Sequence, residues 1–171
     1  MSEYGFWNLA QGDPQHLALV EPEGREWRAG ELLAAANQLV HGLRALGLQQ
    51  GDCVATCLPN DASMMITYLA VMQAGWYLTP INHHLTAAEV GYIVGDCEAK
   101  AFIGAERFAP ICGGAAREAG LPESACYAVG SVPGFRPLAS LMEGQSSEMP
   151  SDRIASRRWN CVGTMWLVVT R

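Results

Sequence analysis

Gly51-Asp-Cys-Val-Ala-Thr-Cys-Leu-Pro-Asn-Asp61 runs into Ala62-Ser-Met-Met-Ile-Thr-Tyr-Leu-Ala-Val-Met-Gln-Ala-Gly75, and then into Trp76-Tyr-Leu-Thr-Pro-Ile-Asn82. Cys53–Leu58 is a short apolar run between a Gly-Asp turn and a proline, which reads as a strand. Pro59-Asn-Asp then opens a helix with a side-chain cap, and Met64, Met65, Ile66, Leu69, Val71 and Met72 make that helix apolar on nearly every side. Such a helix must be buried. Trp76–Thr79 is a second strand. Strand, helix, strand is the alternation of an α/β domain with a mostly parallel sheet flanked by helices.

The pattern continues in both directions. Upstream, His16–Glu21 and Arg25–Arg28 flank Pro22-Glu-Gly, a short hairpin with its turn residues in place. Leu32, Leu33, Ala36, Leu39, Val40, Leu43 and Leu46 then form one apolar stripe at three- and four-residue intervals, closed by Gly47 at a left-handed cap position. Downstream, Pro80-Ile-Asn-His-His is a loop, and Thr86 with Glu89 three residues on is a capping box for a helix to about Gly95. Ala101–Ile103 is a third parallel strand, Glu106–Ala119 a helix with Pro110 near its start, and Cys126–Val129 a fourth strand. Ser, Pro and Gly become frequent from Gly130 to Pro150, around a short helical pattern at Leu138–Glu143.

The 171 residues are 50% hydrophobic and 16% charged, enough apolar sequence to hold a core without a metal or disulfide framework. The net charge of −6 argues against a nucleic-acid partner, because a phosphate backbone would be repelled on average. The charge is uneven: residues 1–150 hold sixteen acidic and seven basic side chains, whereas 151–171 hold four Arg and Asp152 alone. Ten of the eleven basic residues are Arg, and Lys100 is the single Lys. The N-terminus lacks a basic region followed by an apolar stretch, so the expectation is a cytoplasmic protein with reduced thiols. Ala62–Thr79 is long and apolar enough to raise a membrane span, but Gly75, Pro80 and Asn82 break it and no basic residue flanks it closely. A buried helix and strand is the expected reading, with no transmembrane segment.

The six cysteines, at 53, 57, 97, 112, 126 and 161, show neither C-x-x-C pairs nor zinc-ligand spacing. Cys53 and Cys57 on one strand would be about 13 Å apart, beyond disulfide reach. Buried free thiols are expected. His83 and His84 are adjacent, and neighbours in an extended loop point apart, which disfavours a shared metal. The sequence contains no G-x-G-x-x-G, G-K-[ST], G-x-S-x-G or H-E-x-x-H, so no glycine-rich phosphate cradle, nucleophile elbow or zinc helix is encoded.

Glu31-Leu32, Leu43-Arg-Ala-Leu-Gly-Leu48, Gly51-Asp52, Val54-Ala55 and Leu58-Pro-Asn-Asp61 resemble the opening of the adenylate-forming, AMP-binding superfamily, in particular its acyl-CoA synthetases. Ala74-Gly75, Pro80-Ile-Asn82, Leu85-Thr86, Glu89, Ile93, Asp96 and Ala99-Lys100 match that family's run in order and spacing. The resemblance covers roughly residues 15–130 and implies the first α/β subdomain of the family's large N-terminal domain. Its members activate a carboxylic acid, a fatty acid in many cases, with ATP and Mg2+, and transfer the acyl group to coenzyme A. The matched residues are turn, cap and packing positions. They carry over no catalytic, cofactor-binding or metal residue, and none is assigned.

Two departures matter. Where the family usually has a hydroxyl residue and an aromatic before Glu-Leu, this chain has Arg28 and Ala29, a lost cap costing about 1 kcal/mol. More consequentially, the family's Ser/Thr/Gly loop ending in Pro-Lys-Gly has no counterpart after Pro150, where the chain reads Ser156-Arg-Arg-Trp-Asn-Cys-Val-Gly-Thr-Met-Trp-Leu-Val-Val-Thr-Arg171. The expectation is a partial AMP-binding-type subdomain over 1–150 with a divergent tail over 151–171. A shift of reading frame near Ala155 would produce such a tail; the alternative is a natural terminus with a strand at Met165–Val169. Such a fragment is expected to bind no cofactor and to be inactive alone. Its expected partners are a second copy or the remainder of such an enzyme, the alternative role being a non-catalytic half of a split enzyme.

Overall fold

The computed structural model describes residues 5–153. Helix α1 (Phe6–Gly12) precedes an antiparallel hairpin of β1 (Leu17–Val20) and β2 (Glu26–Arg28). Then follow α2 (Ala29–Ala45), β3 (Cys53–Cys57), α3 (Ala62–Ala74), β4 (Tyr77–Pro80), α4 (Ala87–Asp96) and β5 (Ala99–Ala105). A single 3-10 turn at Glu106–Phe108 leads into α5 (Ala109–Glu118), and β6 (Cys126–Val129), β7 (Arg136–Pro137) and α6 (Ala139–Met142) complete the described chain.

The main sheet has five strands in the order β4-β3-β5-β6-β7, every neighbouring pair parallel. The expected α/β class is thus the observed one. The β3-to-β4 crossover runs outward and the β4-to-β5 crossover returns past β3, so right-handed connections place α3 and α4 on opposite faces. Accordingly α3 packs against α2, while α4 packs against α5. Val54, Ala55, Phe102 and Ile103 in the central strands are wholly buried between these layers. The strands read from sequence sit where expected, with β5 longer at both ends than Ala101–Ile103. Helix α1 and the two-residue strand β7 are additions. The tail from Ile154 onward, with Cys161 and Met165–Val169, lies outside the described residues.

Local chemistry explains the boundaries. Gly75 ends α3 at φ 72°, a left-handed conformation that disfavours any residue with a Cβ, and the chain turns directly into Trp76 and β4. Thr86 and Glu89 form the expected capping box: Glu89 N donates to Thr86 Oγ1 at 3.3 Å, and Glu89 Oε2 accepts from Thr86 N at 2.8 Å. At the start of α2, Arg28 supplies no side-chain cap, as its departure from the family pattern implied. Glu31 Oε2 nevertheless accepts from the Arg28 amide at 2.8 Å, so half of the reciprocal arrangement survives. Ala29 is buried beside Ala10 and Leu33, where α1 covers the helix start.

One face of α2 holds the last described segment in place. Asn37 Nδ2 donates to Ser147 O at 2.7 Å, Gln38 Nε2 to Gln145 O at 3.4 Å, and Arg44 Nη1 to Asp152 Oδ1 at 2.7 Å. His41 Nε2 lies 3.1 Å from Glu148 O on the same stripe. Residues 145–152, rich in polar groups and poor in secondary structure, are thus ordered by helix-spaced side chains.

The expectation that α3 is wholly buried is corrected. Met65 and Tyr68 are 40% and 37% exposed, and with the half-buried Met64 and Met72 they form a solvent-facing stripe. Helix α3 lies over the edge strand β4, where no further helix covers its outer side, so an apolar sequence on all sides cannot find an apolar partner on all sides.

Candidate functional site

In open parallel sheets, ligands bind outside the carboxyl ends of the strands where the strand order reverses. Here the reversal lies between β3, whose successor β4 is on one side, and β5, which is on the other. The crevice is bordered by Leu58–Asp61 after β3, by Pro80–His84 after β4 and by Glu106–Phe108 after β5.

The start of α3 points its free amides at this crevice, the geometry that binds phosphate in many α/β proteins. In this chain those amides are already used. Asp61 Oδ1 accepts from the amides of Ser63 at 2.9 Å and Met64 at 3.4 Å, and also from the Ser63 hydroxyl. Glu21, at the end of the β1–β2 hairpin, reaches across so that its Oε1 accepts from Ala62 N at 3.2 Å, while its Oε2 accepts from Trp27 Nε1 at 3.1 Å. Two carboxylates therefore occupy the positive end of α3, and a phosphate would meet their negative charge. The described residues do not fit the phosphates of ATP at this position. The cap at Asp61 was legible from Pro59-Asn-Asp; the role of Glu21, forty-one positions before Ala62, was not.

Beyond β4 the chain folds into a turn: His84 N donates to Asn82 Oδ1 at 3.0 Å, and Leu85 N donates to Asn82 O at 3.2 Å. This corrects the expectation that His83 and His84 point apart. Their ring centroids are 4.2 Å apart, and His83 also stacks on Phe108 with centroids 4.4 Å apart and planes 15° from parallel. Arg107 places its guanidinium 5.8 Å from the Phe108 ring centre. Partial burial, then the neighbouring His84 and Arg107 charges, hold the His83 pKa below the ordinary imidazole value. At neutral pH His83 is therefore an uncharged ring in an aromatic stack. Opposite it, Glu106 Oε2 accepts from Ser131 N at 3.2 Å, joining the ends of β5 and β6.

These groups do not make a catalytic set. His83 and His84 have no carboxylate or nucleophile at hydrogen-bond distance, and among the described residues no three His, Cys, Asp or Glu side chains come together as a metal site. No helix of the described residues is long and apolar enough to cross a membrane.

The fold and crevice are those of a doubly wound α/β domain whose ligand-facing end is built from caps and packing contacts. Compared with known proteins, residues 6–151 match the family model of the AMP-binding enzymes, and the chain belongs to that family. Its members are ATP-dependent, AMP-forming ligases. The chain is 32% identical over 109 residues to the long-chain-fatty-acid–CoA ligase FadD13 of Mycobacterium tuberculosis, covering 61% of this chain and 22% of the relative. It is 35% identical over 94 residues to the nonribosomal peptide synthetase NPS2 of Ceriporiopsis subvermispora, covering 55% of this chain and 4% of that protein. Among solved structures, a fatty acyl CoA synthetase of M. tuberculosis matches with TM-score 0.70 and 27% identity, over 85% of this chain and 28% of that one. An anthranilate CoA ligase in complex with anthranoyl-AMP shares the fold, with TM-score 0.75 at 22% identity over 84% of this chain and 27% of that one. The chain thus spans about a quarter or less of these relatives.

Proposed function

We propose that this chain is the opening subdomain of an acid–CoA ligase, a scaffold on which the family's activation of a carboxylic acid is built, and that residues 1–171 alone catalyse no adenylation. The observation that carries the reading is the closed start of α3: Asp61 and Glu21 fill the one helix terminus at the sheet's switch point where a nucleotide phosphate would be expected. The remaining matched residues, Gly75, Asn82, Thr86 and Glu89, shape turns and caps. A fatty acid is the favoured substrate of the complete ligase, on the strength of the fatty-acid–CoA ligases among the relatives. On this reading the protein works in the cytosol, residues 1–150 are the family portion, and 151–171 are a divergent tail. The test is ATP–pyrophosphate exchange by purified 1–171 with carboxylic acids of several chain lengths. No exchange above background is expected, and acid-dependent exchange would refute the proposal.

A second reading, a non-catalytic interaction module, is favoured by the exposed stripe of Met64, Met65, Tyr68 and Met72 beside the open edge of β4. The stretch from Ala62 to Ala88 contains no formal charge, so nothing on this side opposes apolar contact with another protein surface. Size-exclusion chromatography with light scattering separates the readings: a sharp, concentration-independent monomer counts against the module.

A further inference from the structure

At the amino ends of the strands, opposite the crevice, three side chains of the sheet and its flanking helix converge. Cys53 opens β3, and its Sγ lies 3.2 Å from Oγ1 of Thr79 on the adjacent strand β4. Cys97 caps the carboxyl end of α4, with its amide bonded to Ile93 O at 3.0 Å and its Sγ 3.5 Å from Val94 O. Glu98 then takes a left-handed φ of 51°, and β5 enters its pairing with β3 through an irregularity, Cys53 opposing Ala99 but Val54 opposing Ala101. Such a bulge bends the strand and re-aims neighbouring side chains. The result is that the thiols of Cys53 and Cys97 bond to one another, although forty-four positions separate them in sequence.

We propose that Cys53 and Cys97 form a peroxide-sensitive oxidation site that closes into an intramolecular disulfide, with Cys97 attacking and Cys53 resolving. Access separates the two roles: Cys97 is half-buried, whereas Cys53 is buried behind it. The hydrogen bond from Cys53, helped by Thr79 and the Ala99 amide, outweighs burial and brings the Cys97 thiol down to about 7. The same bond, together with burial, pushes Cys53 up. A largely ionised, accessible thiol beside a protonated one suits attack on an oxidant followed by resolution.

The chemistry balances with hydrogen peroxide as oxidant. The Cys97 thiolate attacks one peroxide oxygen, the O–O bond breaks, the departing hydroxide takes a proton to leave as water, and Cys97 becomes a sulfenic acid. Cys53 then attacks the Cys97 sulfur, its thiol proton and the sulfenic hydroxyl leave as a second water, and the S–S bond forms. The two thiols are oxidised by two electrons and one peroxide is reduced to two waters. The disulfide would tie the end of α4 to the start of β3 and leave the crevice face untouched.

A second thiol contact, between Cys57 and Cys112, supplies the contrast within the same molecule. Both of these residues are fully buried in the core, so peroxide has no route to them. Cys126 is likewise buried, and desolvation followed by the Glu123 charge pushes its thiol up to about 11.

The test uses the full chain, folded and reduced, at pH 7. Hydrogen peroxide should remove the mass of two hydrogens, and cleavage after Asp61 and Glu89 should yield the Cys53 and Cys97 peptides joined. Cys97→Ser should abolish the cross-link, while Cys53→Ser should leave a sulfenic acid on Cys97 that dimedone traps. In wild-type protein a maleimide should label Cys97 at least about tenfold faster than Cys126, a readout that needs no variant to fold. The proposal is overturned by a cross-link from Cys97 to Cys161, by oxidation that stops on Cys97 in the wild type, or by equal labelling rates.

Discussion

Gln73 Nε2 on α3 donates a 3.0 Å hydrogen bond to Asn37 Oδ1 on α2, and both side chains are buried. Asn37 passes the connection on by donating to Ser147 O, so two helices and the 145–152 segment meet at one amide. A buried polar group of this kind is costly once a partner is removed, because the group left behind cannot recover its water. Asn37→Ala should therefore lose about 2–3 kcal/mol, seen as a lower urea midpoint with little change in slope. The same variant should become more sensitive to proteolysis between Gln145 and Arg153, since one of the ties holding that segment is gone.

Gly42 faces the short helix α6 from the middle of α2. A Cβ at this position would fall on the carbonyl oxygen of Leu141 and also crowd its carbonyl carbon at 2.8 Å, and both atoms are backbone. Backbone cannot rotate away as a side chain can. Gly42→Ala should be destabilising by about 1–3 kcal/mol despite the better helix propensity of alanine, checked by thermal unfolding. An unchanged or raised Tm would show that α6 moves freely over α2.

The elements legible in the sequence were those whose cause is local. The stripe from Leu32 to Leu46, the cap at Asp61, the Thr86–Glu89 box and Cys126–Val129 each announce themselves within a few residues, and each forms where expected. Helix α1 starts at Gly5 without a side-chain cap and is held by burial of Ala10 against Ala29 and Leu33, a tertiary cause. Strand β7 is two residues, Arg136 and Pro137, that pair only because β6 is there. The crevice divides the same way. Its Asx-type turn residues were visible, but Glu21 on the start of α3 and Phe108 under His83 come from other elements, and no spacing rule connects them.

The closed start of α3 yields a stability prediction. Asp61→Ala removes the acceptor for two amides of the first turn and should cost about 1 kcal/mol, whereas Asp61→Ser should retain most of the cap. Glu21→Gln should cost less, because the amide oxygen can still accept from Ala62. Chemical denaturation of the three variants gives the ranking. An Asp61→Ala protein as stable as wild type would mean that the carboxylate is not what satisfies this helix end.

Glu89 gives the acid side of the pH profile. Hydrogen bonds from the Thr86 amide, then from its hydroxyl, hold the Glu89 carboxyl below the usual carboxylate range. A group depressed in the folded state contributes stability above its unfolded pKa, about 4.3 for Glu, and loses it as pH falls through the lower folded value. The Tm gap between wild type and Glu89→Gln should thus be constant from pH 7 to about pH 5 and close progressively below about pH 4. A gap that widens on acidification would contradict the assigned direction.

The stripe on α3 makes the last prediction, which bears on the interaction-module reading. Met65 and Tyr68 are the most exposed members of a face without charge, next to an edge strand whose Tyr77 is also exposed. Because their side chains lie largely in solvent, Met65→Lys and Tyr68→Glu should change stability by no more than about 0.5 kcal/mol. The same charges are costly to desolvate, so any association through this face should weaken sharply. Light scattering of the two variants should then show a smaller average mass than wild type at equal concentration, with coincident unfolding curves. If wild type associates and both variants associate equally well, the contact surface lies elsewhere on the molecule.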